Sequence, residues 1–388
     1  MKVGNPVIVV VAYNRADSLN RILNSLLHSR NIDGADLIIS IDNRQPYNDD
    51  VREVADEFAW PFGAKEVRYQ KEHLGLRKHI MRCGDLSMQY GSVIILEDDL
   101  LVSPYFYDFA KASLAYYIND DTIGGISLYN QPRQEIVKLP FTPLIDSSDV
   151  YFLQFPSSLG QLWTAAQWKG FRSWMETDPD LSSTAIPDYI LHWPESSWKK
   201  YFAAYLVESN KYFVYPRISL TTNFFDVGSN VTDASSHRGQ TPLRMFSSSY
   251  QFSRLAESDS VYDIHLELEP GCVKKLSVAG LHEDFEMDLY GSKELKDIKA
   301  PYVITSRPCT NRVKGYRRAL KPHEMNILLD IEGDDLNLCR KEDVIFKKKD
   351  SEELLAEFGY YYTDFIKGTK FMIYRYFRKR KWLKKLFK

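Results

Sequence analysis

Three short runs decide the class of fold: PVIVVVAY (6–13), DLIISID (36–42) and SVIILEDD (92–99). Each is apolar on consecutive residues, so a strand made from it must be covered on both faces. Helical patterns separate them. In DSLNRILNSLLHSR (17–30), Leu19, Ile22, Leu23, Leu26 and Leu27 share one helical face, with Asp17 or Ser18 at the N-cap. NDDVREVADEFAW opens a second helix on acidic residues, AKEVRYQ reads as a shorter strand, and a third helical stretch runs from Leu76 to Tyr90. SPYFYDFAKASLAYYI places Ser103 as N-cap and Pro104 in the first turn, and IGGISLYN (123–130) is a further strand. This alternation predicts an α/β domain, a Rossmann-like, mostly parallel sheet with helices on both faces. Ligands of such sheets bind outside the carboxyl ends of the strands, where YNR, IDN and EDD fall.

The third of these ends is extreme. Glu97, Asp98 and Asp99 follow a buried strand directly. Burying unpaired carboxylates is prohibitive, so they need a cation, a proton or open water. Asp98 or Asp99 on a turn can hold a hard divalent ion through oxygen, leaving positions for diphosphate oxygens and water. The bland alternative is solvated acids at the start of the next helix; the place at a strand end, beside two other polar strand ends, favours the cation. No glycine occurs between Gly4 and Gly34, so the first strand end cannot cradle phosphate with a glycine loop. Arg15 stands there as the phosphate-directed cation. Asp42 can accept from a base N–H or a ribose hydroxyl, or form a turn with Asn43. HLGLRKHIMRCGD adds His73, Arg77, Lys78, His79 and Arg82, a cationic set divided between phosphate, base and solvent.

Cys83, Cys272, Cys309 and Cys339 form no C-x-x-C pair and read as reduced thiols of a cytoplasmic protein. No run approaches the roughly 18 apolar residues of a membrane span. PVIVVVAY is followed by NRAD instead of a small-residue cleavage site, so it is a first strand and not a signal peptide. Residues 131–250 are irregular and rich in Trp, Ser and Pro, whereas DIHLELE, FEMDLYG and YVITSR suggest a small β-rich appendage. The divisions drawn are a domain over 1–255, with a nucleotide-binding half to 130 and an acceptor half after it, an accessory region over 256–350, and a tail over 351–388. The accessory region is open to oligomerisation, as a homo-oligomer, or to acceptor binding. Residues 365–388 hold ten Lys or Arg and no Asp or Glu, leaving 40 basic against 52 acidic residues elsewhere. Interleaved with Trp382, Leu383, Leu386 and Phe387, these cations predict a basic amphipathic helix at an anionic membrane surface. Nucleic acid is excluded as a partner, because the acidic body would repel a polyanion.

VVAYNR, SID, HLGLRKHI and VIILEDDLLVSPYFYDF, in that order, resemble the GT-A fold glycosyltransferases. The likeness is to bacterial family 2-type enzymes of surface-polysaccharide synthesis and to the N-acetylglucosaminyltransferase I family. It covers residues 5 to about 240 and continues through FPSSLGQLWTAAQW (155–168). The resemblance implies that Asp99, with Asp98, ligates Mn²⁺ or Mg²⁺, and that Asp98 and Glu97 lie against the ribose and the sugar or uracil. It implies base binding by Asp42, a diphosphate contact by Arg15, and a nucleotide-sugar role for Arg77 and His79. In LHWPESSWKKYF, Glu195 matches the family's catalytic base, with Asp188 as alternate. The late loop NFFDVGSNVTDASSH supplies His237 as a metal or phosphate ligand and Ser229 as a donor contact.

The expected activity is inverting, metal-dependent transfer from a nucleotide sugar, UDP-sugar favoured, to a saccharide hydroxyl on a lipid-linked acceptor. The expected place is the cytoplasmic face of a bacterial membrane. Such chemistry needs a carboxylate to take the acceptor proton and positive charge on the leaving diphosphate. The rivals are a sugar nucleotidyltransferase, whose glycine-rich loop and activating lysine are missing, and a non-catalytic carbohydrate-binding scaffold. Trp163, Trp168, Trp193 and Trp198 read either as sugar-stacking rings or as core.

Overall fold

A computed structural model describes residues 4–44, 49–224, 226, 239–247, 249–281, 283–347 and 351–362. Two compact units divide the chain: residues 1–132 with 143–272, and residues 133–142 with 273–388. The first unit opens with β1 (Val7–Ala12), α1 (Ala16–Leu27), β2 (Leu37–Ile41), α2 (Asp49–Glu57), β3 (Lys65–Tyr69), α3 (Gly75–Tyr90) and β4 (Ser92–Glu97). It continues with β5 (Leu100–Val102), α4 (Phe106–Tyr117), β6 (Ile123–Ser127), β7 (Val150–Leu153), β8 (Gln161–Thr164), α5 (Ala165–Met175) and α6 (Asp188–Leu191). The last elements are α7 (Trp198–Glu208), β9 (Tyr212–Pro216), β10 (Thr221–Asn223) and β11 (Val261–Tyr262).

Among the described residues nine strands form one sheet in the order β11-β7-β9-β6-β8-β4-β1-β2-β3. The run β4-β1-β2-β3 is parallel throughout. Its apolar strands are buried on both faces: all of β1 and β2, and Ser92–Leu96 of β4. That is the mixed α/β class with a mostly parallel sheet that the sequence predicts. β6 pairs in parallel with β9 but antiparallel with β8, which is inserted between β6 and β4.

Two helix starts differ from the sequence expectation. α1 begins at Ala16 with Arg15 at its N-cap, two residues before Asp17 and three before Ser18. α4 begins at Phe106, because Ser103 and Pro104 form the preceding turn. The Ser103 carbonyl accepts from Phe106 N at 3.1 Å and its Oγ from Tyr105 N at 3.1 Å.

α5 starts on a reciprocal capping box, Thr164 Oγ1 accepting from Gln167 N at 3.1 Å and Gln167 Oε1 from Thr164 N at 3.0 Å. It carries Trp168 against α3, where the ring lies over Gly84 so closely that a Cβ there would meet it at 2.2 Å. Trp163, Trp168 and Trp198 are fully buried, with ring centroids of Trp163 at 4.7 Å from Trp168 and 5.5 Å from Trp198. These three are core. Trp193, half-buried, meets Phe155 and Tyr189 edge-on. The buried Trp198 fixes the start of α7, and with it the segment 193–197.

The second unit contains most of α8 (Pro270–Leu276), then β12 (Phe285–Asp288), β13 (Tyr302–Thr305), β14 (Arg312–Tyr316), α9 (Met325–Leu328), β15 (Leu336–Arg340) and α10 (Ser351–Tyr361). Its four strands run in the order β12-β13-β15-β14 around Ile298, Val303, Cys339 and Val344. FEMDLYG and YVITSR are strands here, but DIHLELE is a turn of the first unit. Asp263 Oδ1 accepts from His265 N at 2.8 Å and Glu267 N at 2.9 Å, a local bonding pattern that competes with a sheet ladder. The four cysteines are unbridged. The stretch 365–388 lies outside the described residues.

Candidate active site

Because β1 lies between β2 and β4 in parallel register, Ala12 pairs with Ile41 and Val11 with Glu97. The polar residues that follow each strand therefore emerge on one rim. Asp42 N donates to Ala12 O at 3.0 Å and Asp98 N to Val11 O at 3.1 Å. A cleft of ≈ 360 Å³ opens there, lined among others by Arg15, Asp42, His73, His79, the acidic triplet, Ser196 and Asp226. Its volume falls within the range of small-molecule sites.

Arg15 is clamped onto the acidic pair. Its Nε donates to Asp98 Oδ2 at 3.4 Å, its Nη2 pairs with Asp98 Oδ1, and its Nη1 donates to Asp99 Oδ2 at 3.2 Å. Asp98 and Asp99 are 3% and 8% exposed, so the guanidinium compensates charge that would be costly to bury alone. Burial works against the Arg15 cation, but Asp98 and then Asp99 outweigh it and raise its pKa. Burial raises the Asp98 carboxyl despite Arg15. It pushes Glu97 well above the usual carboxylate range, with Asp99 and Asp98 adding repulsion. Among the described residues Asp99 Oδ1 is buried and has no hydrogen-bond partner.

A second, two-stranded sheet completes the rim. β10 runs antiparallel to β5, and Phe224 N donates to Asp99 O at 2.9 Å. This turns Asp226 towards α1, where Ser18 Oγ donates to its Oδ2 at 2.6 Å and Arg21 pairs with it. Burial opposes its charge, yet Ser18 and Arg21 hold its pKa below the usual value. Asp226 belongs to the late loop singled out in the sequence; Ser229 and His237 of the same loop lie outside the described residues. Its signal was an acid three residues beyond a short strand.

Asp42 is buried and supplied with donors on both oxygens. Asn43 N and Leu74 N reach Oδ1 at 2.8 Å each, Gly75 N reaches Oδ2 at 3.0 Å, and His73 Nδ1 lies 3.0 Å from Oδ2. The carboxylate thus holds the first amides of α3, whose Gly75 has φ of 69°. Beside it, Asn43 Oδ1 is buried without a partner among the described residues. His79 is buried with Nε2 2.7 Å from Ser40 Oγ, and burial lowers its pKa to about 4 although Asp42 opposes the shift.

Glu195 stands at the other side. Its side chain is 71% exposed and accepts from Lys200 Nζ at 2.6 Å and from the Tyr201 hydroxyl. Arg77 lies over the Tyr201 ring at 4.8 Å and has Nη1 3.9 Å from Glu195 Oε2. Lys200 first, then Tyr201, lower the Glu195 pKa. Its neighbour Ser196 lines the cleft; Glu195 itself is grouped with Arg77, Lys200 and Tyr201. Asp188 opens the four-residue α6, away from the cleft lining, with its carbonyl accepting from His192.

No family model matches the chain. Over 145 residues it is 27% identical to an alpha-1,3-mannosyl-glycoprotein 2-beta-N-acetylglucosaminyltransferase of Arabidopsis thaliana. That match takes in 37% of this chain and spans 27% of the relative's length. The relative is an enzyme of the kind that the sequence motifs resemble. Among solved structures, a mannosyltransferase of Pyrobaculum calidifontis in complex with GDP-Man and Mn²⁺ is similar with a TM-score of 0.29 and 16% identity, over 42% of this chain and 46% of that one. S. aureus TarS in complex with UDP-GlcNAc is similar with a TM-score of 0.36 and 12% identity, over 60% of this chain and 61% of that one.

The donor set at the rim fits a hard divalent cation. Asp99 has a buried oxygen without a hydrogen-bond partner among the described residues, and Asp98, both of whose oxygens Arg15 occupies, adjoins it. Among the described residues no group of three or more His, Cys, Asp or Glu surrounds the position. A cation there would draw one or two carboxylates from the protein and take its other ligands from phosphate and water, the habit of Mg²⁺ sites that bind substrate phosphates.

Proposed function

We propose that this chain is a glycosyltransferase that moves a sugar from a nucleoside-diphosphate donor, a UDP-sugar, to a hydroxyl of a lipid-linked saccharide, with inversion. One observation carries the reading: Arg15, Asp98 and Asp99 meet at the carboxyl ends of parallel β1 and β4 and line the cleft, with one buried Asp99 oxygen left without a partner among the described residues. The name of the Arabidopsis relative supports the reaction class. A divalent cation, Mn²⁺ or Mg²⁺, held by Asp99 and Asp98 would offset the charge of the departing diphosphate.

The chain's own residues supply the rest. Arg15 is a permanent cation beside the same position and can pair with phosphate in a bidentate way. At the end of β2, Asp42 and His79 line the cleft and keep α3 in place. Glu195, ionised by its partners, is assigned the proton of the acceptor hydroxyl at a carboxylate oxygen. Inversion follows if that hydroxyl attacks the anomeric carbon opposite the diphosphate. Residues 365–388 are assigned to an anionic membrane surface, which would place the enzyme on the cytoplasmic face beside lipid-linked acceptors. Among the described residues no helix is long and apolar enough to cross a membrane.

The test is a screen of nucleotide sugars for slow hydrolysis, with and without Mn²⁺, run on the wild type and on Asp99→Ala. Expected is Mn²⁺-dependent release of a nucleoside diphosphate from one donor, lost in the variant while its circular dichroism is unchanged. Hydrolysis that ignores both Mn²⁺ and Asp99 rules out the metal assignment.

A further inference from the structure

We propose that Arg15 makes the acidic pair selective for a divalent cation that arrives with a nucleoside diphosphate, over the free cation. This rests on the reading of the cleft as a metal–nucleotide site. The guanidinium takes both oxygens of Asp98 and Oδ2 of Asp99, and it leaves Asp99 Oδ1 as the buried oxygen without a partner. Its Nη1 also donates to the Asp226 carbonyl at 3.4 Å. From the turn after β1 it is therefore held by two other segments, the end of β4 and the strand exit after β10.

Charge then decides what can enter. Asp98, Asp99 and Arg15 carry one net negative charge between them, and arginine cannot relieve crowding by losing its proton. A free dication beside Asp99 would compete with the paired guanidinium for the same carboxylates and be repelled by it. In a partly buried site that repulsion is weakly screened. A diphosphate reverses the balance. Its oxygens offer the guanidinium a second bidentate partner and bring anionic ligands to the cation. With the diphosphate as a partner for Arg15, Asp98 and Asp99 would be released to hold the cation.

The experiment measures Mn²⁺ binding to the full chain by electron paramagnetic resonance, with and without UDP, and with GDP as a second arm. It compares the wild type, Arg15→Gln and Arg15→Lys. Wild type is expected to hold Mn²⁺ weakly alone and at least about tenfold more tightly with the diphosphate. Arg15→Gln should bind Mn²⁺ alone at least about tenfold more tightly than wild type, and gain little from the diphosphate. Arg15→Lys keeps the charge and should keep the weak binding. If Arg15→Gln binds Mn²⁺ alone no better than a wild type that does respond to the diphosphate, the selectivity assigned to Arg15 is wrong. Equal Mn²⁺ affinity of wild type with and without diphosphate overturns it too, and needs no variant to fold. Failure of wild type to bind Mn²⁺ with either nucleotide would remove the metal–nucleotide reading itself, and this inference with it.

Discussion

A carboxylate that takes a proton from a hydroxyl must be ionised at the working pH, and Glu195 is kept so by Lys200 and Tyr201. Its pKa is lowered, so the ionised form persists to lower pH than that of an unpaired glutamate. Asp98, raised by burial, takes its proton first as pH falls, so an acid limb of turnover at or above the usual carboxylate range should report Asp98 and not Glu195. Glu195→Gln should reduce turnover by about 10²-fold or more and leave donor affinity nearly unchanged, because the side chain contacts Lys200, Tyr201 and Arg77 and is not part of the lining around Asp98 and Asp99. Single-turnover kinetics with a saturating donor separate the two effects; normal turnover there, with the loss found in Asp188→Asn, transfers the role to Asp188. At this scale the sequence was legible where chemistry is contiguous. Asp98 and Asp99 adjoin a buried strand, and a parallel neighbour brings Arg15 to them. Asp226 was not legible as a site residue, because its contact with Ser18 spans 208 positions. That contact depends on β10 pairing with β5, which no local pattern announces. Ser196 is a small polar residue without a charge signature, and only its place in the cleft lining distinguishes it.

α3 shows how an element is held for the site's sake. It begins without a side-chain cap from its own N-cap residue, Leu74. Asp42 reaches across from the end of β2 to accept from Leu74 N and Gly75 N instead. A negative group at a helix start satisfies orphan amides and meets the positive end of the dipole. Asp42→Ala should cost about 1–2 kcal/mol of stability, the scale of a lost cap, and Asp42→Asn distinctly less. Urea unfolding followed by circular dichroism checks this; equal stability of Asp42→Ala and wild type would show that the cap is dispensable. The elements themselves were mostly legible. Runs such as VIVVVA and LIISI can only be strands covered on both faces, and α1 buries Leu19, Ile22, Leu23 and Leu26 as its period requires. Polar punctuation is where the pattern misleads. Asp263 folds DIHLELE into a turn that its alternating pattern does not suggest, and Ser103 opens a turn that precedes α4 instead of capping it. The insertion of β8 between β4 and β6 was also unreadable, since strand order is set by packing between distant segments.

For the molecule as a whole, the charge distribution is the property that sequence states most directly. Ten cations fall within residues 365–388, while the remainder has 40 basic against 52 acidic residues. An acidic body is repelled by an anionic leaflet, so any attachment must be local. Each Lys or Arg near such a surface contributes up to roughly 1 kcal/mol, fading within a Debye length. Trp382, Leu383, Leu386 and Phe387 would add insertion of apolar rings and branches among the headgroups, a contribution that salt does not screen. Raising salt should therefore weaken binding to anionic vesicles without abolishing it. Truncation after Asp364 removes both contributions at once. It leaves the residues around Arg15, Asp98 and Asp99 intact, because they lie in the other compact unit. The truncated protein should stay in the supernatant when sedimented with anionic vesicles and should hydrolyse its donor at a near-normal rate. Transfer to a lipid-linked acceptor presented in those vesicles should fall, since the enzyme no longer concentrates where the acceptor is held. Transfer to a short soluble acceptor should not fall, and that contrast separates a membrane role from damage to the fold. Equal sedimentation of the full-length and truncated proteins would exclude the tail as the membrane contact.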